Sequence, residues 1–194
     1  MLVVSLSEAC SLIEEGRVKS ALSSFTCFDK RYPSTQEVQD FIRINAFKTD
    51  AQSFSRTHLF LDNDYQIAGF FTLMIKTFQI AVQRDQRQDF VSLSISRRKS
   101  LGIRKVDDTY ALHSYLIAQL ARNFSVRSDV SGKMILNQAL QYIQDAYYRI
   151  GGICCATVEY CPTTKLHDFY SEAGFESISD HPTTKNVLGA LTLR

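Results

Sequence analysis

Tryptophan is absent, and proline and glycine are scarce, at three and eight residues of 194. That scarcity excludes collagen-like and Pro/Gly-rich low-complexity chains. Neither sign of charge dominates: 22 basic residues face 20 acidic ones, a formal net charge of +2. A chain so balanced lacks the overall basic footprint of a nucleic-acid binder. The local exception is Arg97-Arg98-Lys99 with Arg104 and Lys105, which reads as a solvated loop or a small binding patch. The five cysteines, Cys10, Cys27, Cys154, Cys155 and Cys161, form no CxxC pair, so no metal site is expected. Cys154 and Cys155 lie in an apolar run, where a free thiol behaves as a small buried hydrophobe. No stretch approaches the roughly 20 apolar residues of a membrane helix. The start at Met1 has no basic flank and reaches Glu8 too soon for a signal peptide. The expectation is a cytoplasmic protein with reduced thiols and no membrane partner.

What is present is 45% apolar residue content arranged in clear periods, enough to bury a core. Ser7 to Leu22 carries Ala9, Leu12, Ile13, Val18, Ala21 and Leu22 at helical spacing, with Ser7 as the N-cap. A second helix opens at Pro33-Ser34-Thr35 and lines Val38, Phe41, Ile42 and Ala46 on one face. Thr57–Leu61 and Ile67–Ile75 read as a hairpin around Asp62-Asn63-Asp64. From Thr77 to Asp108 the chain reads as a long connection with a helical piece near 90–99.

His113 to Ala121 reads as a central strand, Val130 to Tyr148 as an amphipathic helix stopped by Gly151-Gly152, and Ile153 to Val158 as a buried strand. Strand, crossover helix and strand make a βαβ unit with parallel strands. A short helix follows from Pro162-Thr163-Thr164 to Gly174, and Phe175–Ser179 with Val187–Leu193 reads as a final hairpin. One α/β domain over 1–194 is expected, with N-terminal helices over 1–50 and a sheet core over 55–194. No repeat or linker interrupts it.

Between the central strand and the long helix lies Arg122 to Asp129, a polar loop at the carboxyl edge of the sheet. Ligands of α/β sheets bind at that edge. A loop feeding a helix N-terminus offers unpaired N–H groups and the positive end of the helix dipole, which suits phosphate. The dipole itself supplies only about 0.3–2 kcal/mol, so donated hydrogen bonds carry most of the affinity. Leu120-Ala121, then Arg127-Ser128-Asp129-Val130-Ser131-Gly132 and Ile135-Leu136, resemble the acetyl-CoA signature Q/R-x-x-G-x-G/A of the GNAT acetyltransferases. Arg127 and Gly132 match its ends, and Val130 replaces its middle glycine. Because valine resists positive φ, the loop must take an ordinary conformation there or shift the diphosphate. Phe169-Tyr170-Ser171-Glu172-Ala173-Gly174-Phe175 is similar to the family's F-Y-x-x-x-G-F. Phe25-Thr26-Cys27, Ser55-Arg56-Thr57, Gly69 to Leu73 and Gln119-Leu120-Ala121 resemble a bacterial and phage-associated GNAT subgroup.

The resemblance implies a mixed, mostly antiparallel sheet with one parallel pair and flanking helices. It implies acetyl-CoA as co-substrate and an amine acceptor, small molecule or peptide. Coenzyme contacts fall on Leu120, Ala121, Arg122, Arg127, Ser128, Asp129, Val130, Ser131, Gly132 and Lys133. A main-chain N–H near Leu120–Arg122 would face the oxyanion, and Tyr170 would protonate the departing thiolate. Seven residues before the tyrosine the family often has an asparagine for the pantetheine arm; here Thr163 stands there, and it also reads as a helix N-cap. Glu159 is one candidate base, with His113, His167 or an ordered water as alternatives. The N-terminal helices and the 77–108 connection are expected to shape the acceptor pocket. Two other readings stand beside this one. One is a GNAT-type toxin acetylating aminoacyl-tRNA; the other is a silent acetyl-CoA-binding module, favoured by Val130 and Thr163. A homodimer is compatible with the sequence, and nucleotide hydrolysis is not, since GxxxxGK[ST] is missing.

Overall fold

A computed structural model describes residues 1–81, 93–107, 109–180 and 186–194. The chain opens with a strand, β1 (Leu2–Ser5), that the sequence reading did not include. Two short helices follow, α1 (Leu6–Ile13) and α2 (Glu15–Ser23), where the periodicity predicted one. The cap is Ser5 and not Ser7: Ser5 Oγ accepts from Glu8 N at 3.2 Å, and Glu8 Oε2 accepts from Ser5 N at 2.7 Å. This reciprocal capping box uses the Ser-x-x-Glu spacing of Ser5 and Glu8. The helix breaks at Glu14, whose φ of 85° no helical residue can hold. The second predicted helix is continuous but underwound in part: α3 (Thr35–Asp40), a π-helical turn at Phe41–Asn45, and α4 (Ala46–Ala51).

The hairpin is β2 (Arg56–Leu61) and β3 (Ile67–Ala81) in antiparallel register, Leu59 opposite Phe70. β3 outruns its expected end and takes up the first part of the supposed connection. Then come α5 (Ile95–Leu101), capped by Ser94, and β4 (Arg104–Val106). The first residues of the helical piece expected near 90–99 lie outside the described residues. β5 (Thr109–Arg122), α6 (Gly132–Ile150) and β6 (Cys155–Tyr160) form the expected βαβ unit, with Tyr115 opposite Ala156 in parallel pairing. α7 (Thr164–Glu172), β7 (Glu176–Asp180) and β8 (Val187–Thr192) complete the chain. Strand order is β1-β2-β3-β5-β6-β8-β7 with β4 paired to β5, so β8 inserts between β6 and β7. The pairs β1–β2, β2–β3, β4–β5, β6–β8 and β7–β8 are antiparallel, which with the parallel β5–β6 pair is the expected mixed sheet. Cys155 is buried while Cys154 is exposed, a correction to the expectation that both are core.

Two compact units are distinguished by their packing, Met1–Met74 with Ala118–Ala139, and Ile75–Ile117 with Leu140–Arg194. In the first, α1 to α4 cover the face of the hairpin that carries Leu59, Leu61 and Phe70, where Phe25 meets Phe70 edge-on at 5.3 Å. Val130, Ile135 and Gly69 pack together apart from those rings: a β-carbon on Gly69 would lie 2.7 Å from Ile135 Cδ1, 3.1 Å from Ala121 O and 3.4 Å from Val130 Cγ1. In the second, Leu101, Leu112, Cys155, Ile178, Leu188 and Ala190 form the core.

The Gly69 contact yields a stability prediction. Gly69→Ala forces Ile135, which is fully buried, and the Ala121 carbonyl to give way. Overpacking of this kind costs about 1–3 kcal/mol. Urea denaturation of the variant should show that loss, and an unchanged midpoint would refute the close approach.

Candidate functional site

The first half of the site grows out of the end of β5. Asn123 N donates to Ala68 O at 2.8 Å, and Phe124 N donates to Thr26 O at 2.6 Å. Ser125 N and Oγ both donate to Asn123 Oδ1, at 3.1 and 2.7 Å. The loop is thus pinned where it leaves the sheet. Beyond it the pattern changes: from Arg127 to Lys133 no main-chain N–H has an acceptor among the described residues. Ser131 ends the loop as the helix cap, its Oγ accepting from Met134 N at 3.2 Å and its carbonyl from Ile135 N at 3.1 Å. The cap therefore lies one residue past the expected helix start at Val130.

Val130 is 3% exposed and its backbone is not among the positive-φ residues, so the loop takes an ordinary conformation there. Its side chain is used for packing at Gly69. Arg127, Asp129 and Lys133 are exposed, Ser128, Ser131 and Gly132 half-buried. Free donors at the start of a 19-residue helix, with two cations unpaired among the described residues, fit a diphosphate. Leu120 and Ala121 are half-buried on β5, and the Arg122 guanidinium lies 5.8 Å from the Phe124 ring. A cavity of about 290 Å³ in the same unit is walled by Arg17, Asp64, Tyr65, Asn123, Ser125 and Val126 among others.

The second unit holds Glu159, Thr163 and Tyr170. Tyr170 lies in the last turn of α7, which closes as a Schellman motif: Phe175 N donates to Tyr170 O at 3.0 Å and Gly174 N to Ser171 O at 2.9 Å. The motif needs a left-handed residue after the helix, and Gly174 supplies it with φ of 90°. Phe175 is thereby folded back onto Tyr170, 5.8 Å between ring centroids, with Phe169 at 5.0 Å and Tyr160 at 4.9 Å. Part of the Tyr170 surface remains open, and its hydroxyl has no hydrogen-bond partner among the described residues. The aromatic surroundings withdraw water from the phenol and, with Tyr160 nearby, push its pKa up to about 12. The group is a protonated, unpaired O–H donor at neutral pH.

Thr163 caps α7, its Oγ1 accepting from Leu166 N at 3.3 Å. Glu159 Oε2 accepts from Lys76 Nζ at 2.6 Å, and the same ammonium lies 4.6 Å from the Phe78 ring. His113 Nδ1 is 2.8 Å from Thr77 Oγ1, and His167 is exposed beside Asp168. Sequence reasoning missed Lys76 and Asn123. An 83-residue separation hid the first, and the only available signal for the second was a polar residue ending an apolar strand. No group of three His, Cys, Asp or Glu able to hold a metal occurs among the described residues, and no described helix is long and apolar enough to cross a membrane.

No protein-family model matches the chain, and no curated protein does. Solved structures do. AtaT complexed with acetyl-methionyl-tRNAfMet aligns at 19% identity over 86% of this chain and 85% of its own, with a TM-score of 0.61. A complex described as AtaTR bound with AcCoA aligns at 16% identity over 97% of this chain and 92% of its own, TM-score 0.60. A tyrosine-to-phenylalanine mutant of KacT gives 16% identity, 88% and 86% coverage, and a TM-score of 0.61. Likeness at such identities speaks for backbone alone, and the backbone it speaks for, with its one parallel strand pair and the long helix between, is the GNAT acetyltransferase fold.

Proposed function

We propose that this chain is an N-acetyltransferase, a single cytoplasmic domain that moves an acetyl group from acetyl-CoA to a primary amine. The observation that carries the reading is the run of main-chain donors from Arg127 to Lys133 that finds no acceptor among the described residues. Acetyl-CoA, when bound, supplies the acetyl group already activated as a thioester. Under this reading the amides of Ser128, Asp129, Val130 and Gly132 hold the diphosphate, and Arg127 and Lys133 add charge. The backbone of Leu120, Ala121 and Arg122 flanks the pantetheine arm. Thr163 keeps its own hydroxyl proton for that arm, since its oxygen only accepts from Leu166. Tyr170 holds a proton on Oη and releases it toward the departing sulfur. Glu159 takes the proton of the amine, with Lys76 as its neighbour. Binding of acetyl-CoA by calorimetry, followed by thiol release against a panel of amines, tests the whole reading.

A second reading, acetylation of aminoacyl-tRNA, is favoured by the likeness to AtaT bound to acetyl-methionyl-tRNAfMet. The charge pattern weighs against it. Arg97 is committed to Glu176 at 2.9 Å and Thr192 at 2.7 Å, and Arg98 to the Tyr110 hydroxyl at 2.8 Å. Lys99, Arg104 and Lys105 remain exposed. Three phosphate contacts would give a log–log salt slope of roughly −2 to −3 for RNA binding. Measuring that slope on deacylated tRNA decides: retention with such a slope supports the tRNA acceptor, and no retention removes it.

Two outcomes are expected at Tyr170. Tyr170→Phe should lower kcat by about 10²–10⁴-fold while leaving the affinity for acetyl-CoA near that of the parent chain. Steady-state kinetics with a calorimetric binding check would show it, and an unchanged kcat would remove the acid role. The second concerns alkali. An ordinary tyrosine ionises near pH 10 and Tyr170 near about 12. Its contribution to stability is full below pH 10 and is lost as pH climbs through about 12. Denaturation midpoints between pH 9 and the alkaline limit should therefore fall less steeply in Tyr170→Phe than in the parent. Parallel curves would contradict the buried phenol.

A further inference from the structure

We infer that Asn123 is a positioning residue that fixes the start of the coenzyme cradle, aiming the free amides before any ligand arrives. The inference rests on the acetyl-CoA reading above and goes beyond it, because Asn123 lies outside the signature segment and touches none of its donors. Only 4% of its surface is exposed. Its Oδ1 accepts from Thr26 N at 3.1 Å, from Ser125 N at 3.1 Å and from Ser125 Oγ at 2.7 Å. Its Nδ2 donates to Ile67 O at 2.9 Å, and its main-chain N–H to Ala68 O at 2.8 Å. One planar amide therefore joins three pieces of chain: the start of β3, the segment after α2, and the loop that becomes the cradle.

The chemistry of the side chain explains why asparagine serves. The position needs an acceptor for three donors and a donor for one carbonyl, on a single short rigid head. Aspartate keeps the acceptor but cannot donate to Ile67 and would bury a charge. Leucine keeps the volume and loses every side-chain bond. The Thr26 segment is itself held from the other side, since Arg43 Nε donates to Phe25 O at 2.8 Å. Phe124 N closes the ring of contacts onto Thr26 O at 2.6 Å. Two residues further on, at Val126, the loop stops satisfying its own N–H groups among the described residues. Free donors are useful to a ligand only if their direction is already set, because ordering them on binding would consume affinity. Asn123 sets it.

Ser125→Ala is the mild test, as Ser125 is exposed and only its hydroxyl bond to Asn123 is deleted. One hydrogen bond of this type corresponds to roughly a two- to tenfold effect. The expected result is a Kd for acetyl-CoA raised by that factor, kcat at saturating coenzyme unchanged, the melting temperature unchanged, and recovery of affinity in Ser125→Thr. Amide hydrogen exchange across residues 124–131 of the unliganded protein should speed up in Ser125→Ala, and more so in Asn123→Asp. Wild-type affinity in both variants overturns the inference, as does a loss of affinity that only tracks a fall in melting temperature. If the parent chain itself binds no acetyl-CoA, the coenzyme reading fails. The exchange measurement then decides alone, and unchanged rates across 124–131 would overturn the positioning role.

Discussion

At Gly69 the third strand leaves out a side chain, and the residues that begin α6 fill the space. Ile135 and Val130 come within 2.7 and 3.4 Å of where a β-carbon would stand, and the Ala121 carbonyl comes within 3.1 Å. This one omission decides how the loop between β5 and α6 can run. Because Val130 is spent on packing against β3, the polar residues around it, Arg127 to Asp129 and Ser131 to Lys133, stay half-buried or exposed with their amides unclaimed among the described residues. Where the resembled signature has its middle glycine, this chain thus has a residue that anchors the loop from below. A positive φ is not needed there. The substitution trades conformational freedom at one point for a fixed position of the neighbouring donors.

The same economy governs α7. The spacing from Phe169 to Phe175 has a mechanical meaning once the C-terminus is seen: a Schellman closure requires its left-handed residue one place past the cap, and Gly174 occupies it. The closure bond then falls on the carbonyl of Tyr170. Backbone and side chain of one tyrosine are held together, the first by Phe175 N and the second by the Phe169, Tyr160 and Phe175 rings. Rings remove water from the phenol without offering it a hydrogen-bond partner, and a phenol in that condition keeps its proton. Cys155 obeys the same rule with a different use: burial pushes its thiol up to about 12, so it stays a core residue.

What the sequence could tell follows the range of the interactions involved. Periodicity is local, so the amphipathic α6, the β2–β3 hairpin and the βαβ order were legible in it. Motif spacing is local too, which is why Gly132, Tyr170 and Gly174 could be singled out. The errors share a cause. Ser7 stands at the start of the helical period, whereas Ser5 becomes the cap because pairing with β2, Leu2 opposite Leu61, makes Leu2 to Ser5 a strand. The break at Glu14 hides inside an unbroken helical period. The extension of β3 to Ala81 and the insertion of β8 beside β6 depend on partners far along the chain, Glu159 opposite Leu188 for example. Lys76 and Asn123 matter for the same reason, since neither has a meaning until strands align. The proposed site half by half was readable as chemistry, but its supports were not.

The Lys76–Glu159 pair bears on which group can accept a proton. A carboxylate already hydrogen-bonded to an ammonium at 2.6 Å must surrender part of that bond when it takes a proton. The magnitude decides whether this matters. The two side chains keep 37% and 24% of their surface, so the pair sits in the solvent-screened regime. Pairs of that kind contribute about 0.2–1 kcal/mol, less than one factor of ten in an equilibrium. The ion pair is therefore too weak to lock the carboxylate in place, and strong enough to aim it. When the pair parts, the ammonium is not stranded, because the Phe78 ring at 4.6 Å gives it a second resting place. His113, tied to Thr77 Oγ1, and His167, exposed at the surface beside Asp168, show no comparable arrangement of an aimed acceptor with a compensating neighbour. On these terms Glu159 is the better-aimed acceptor for the proposed reaction, oriented by the residue that sequence reasoning did not see.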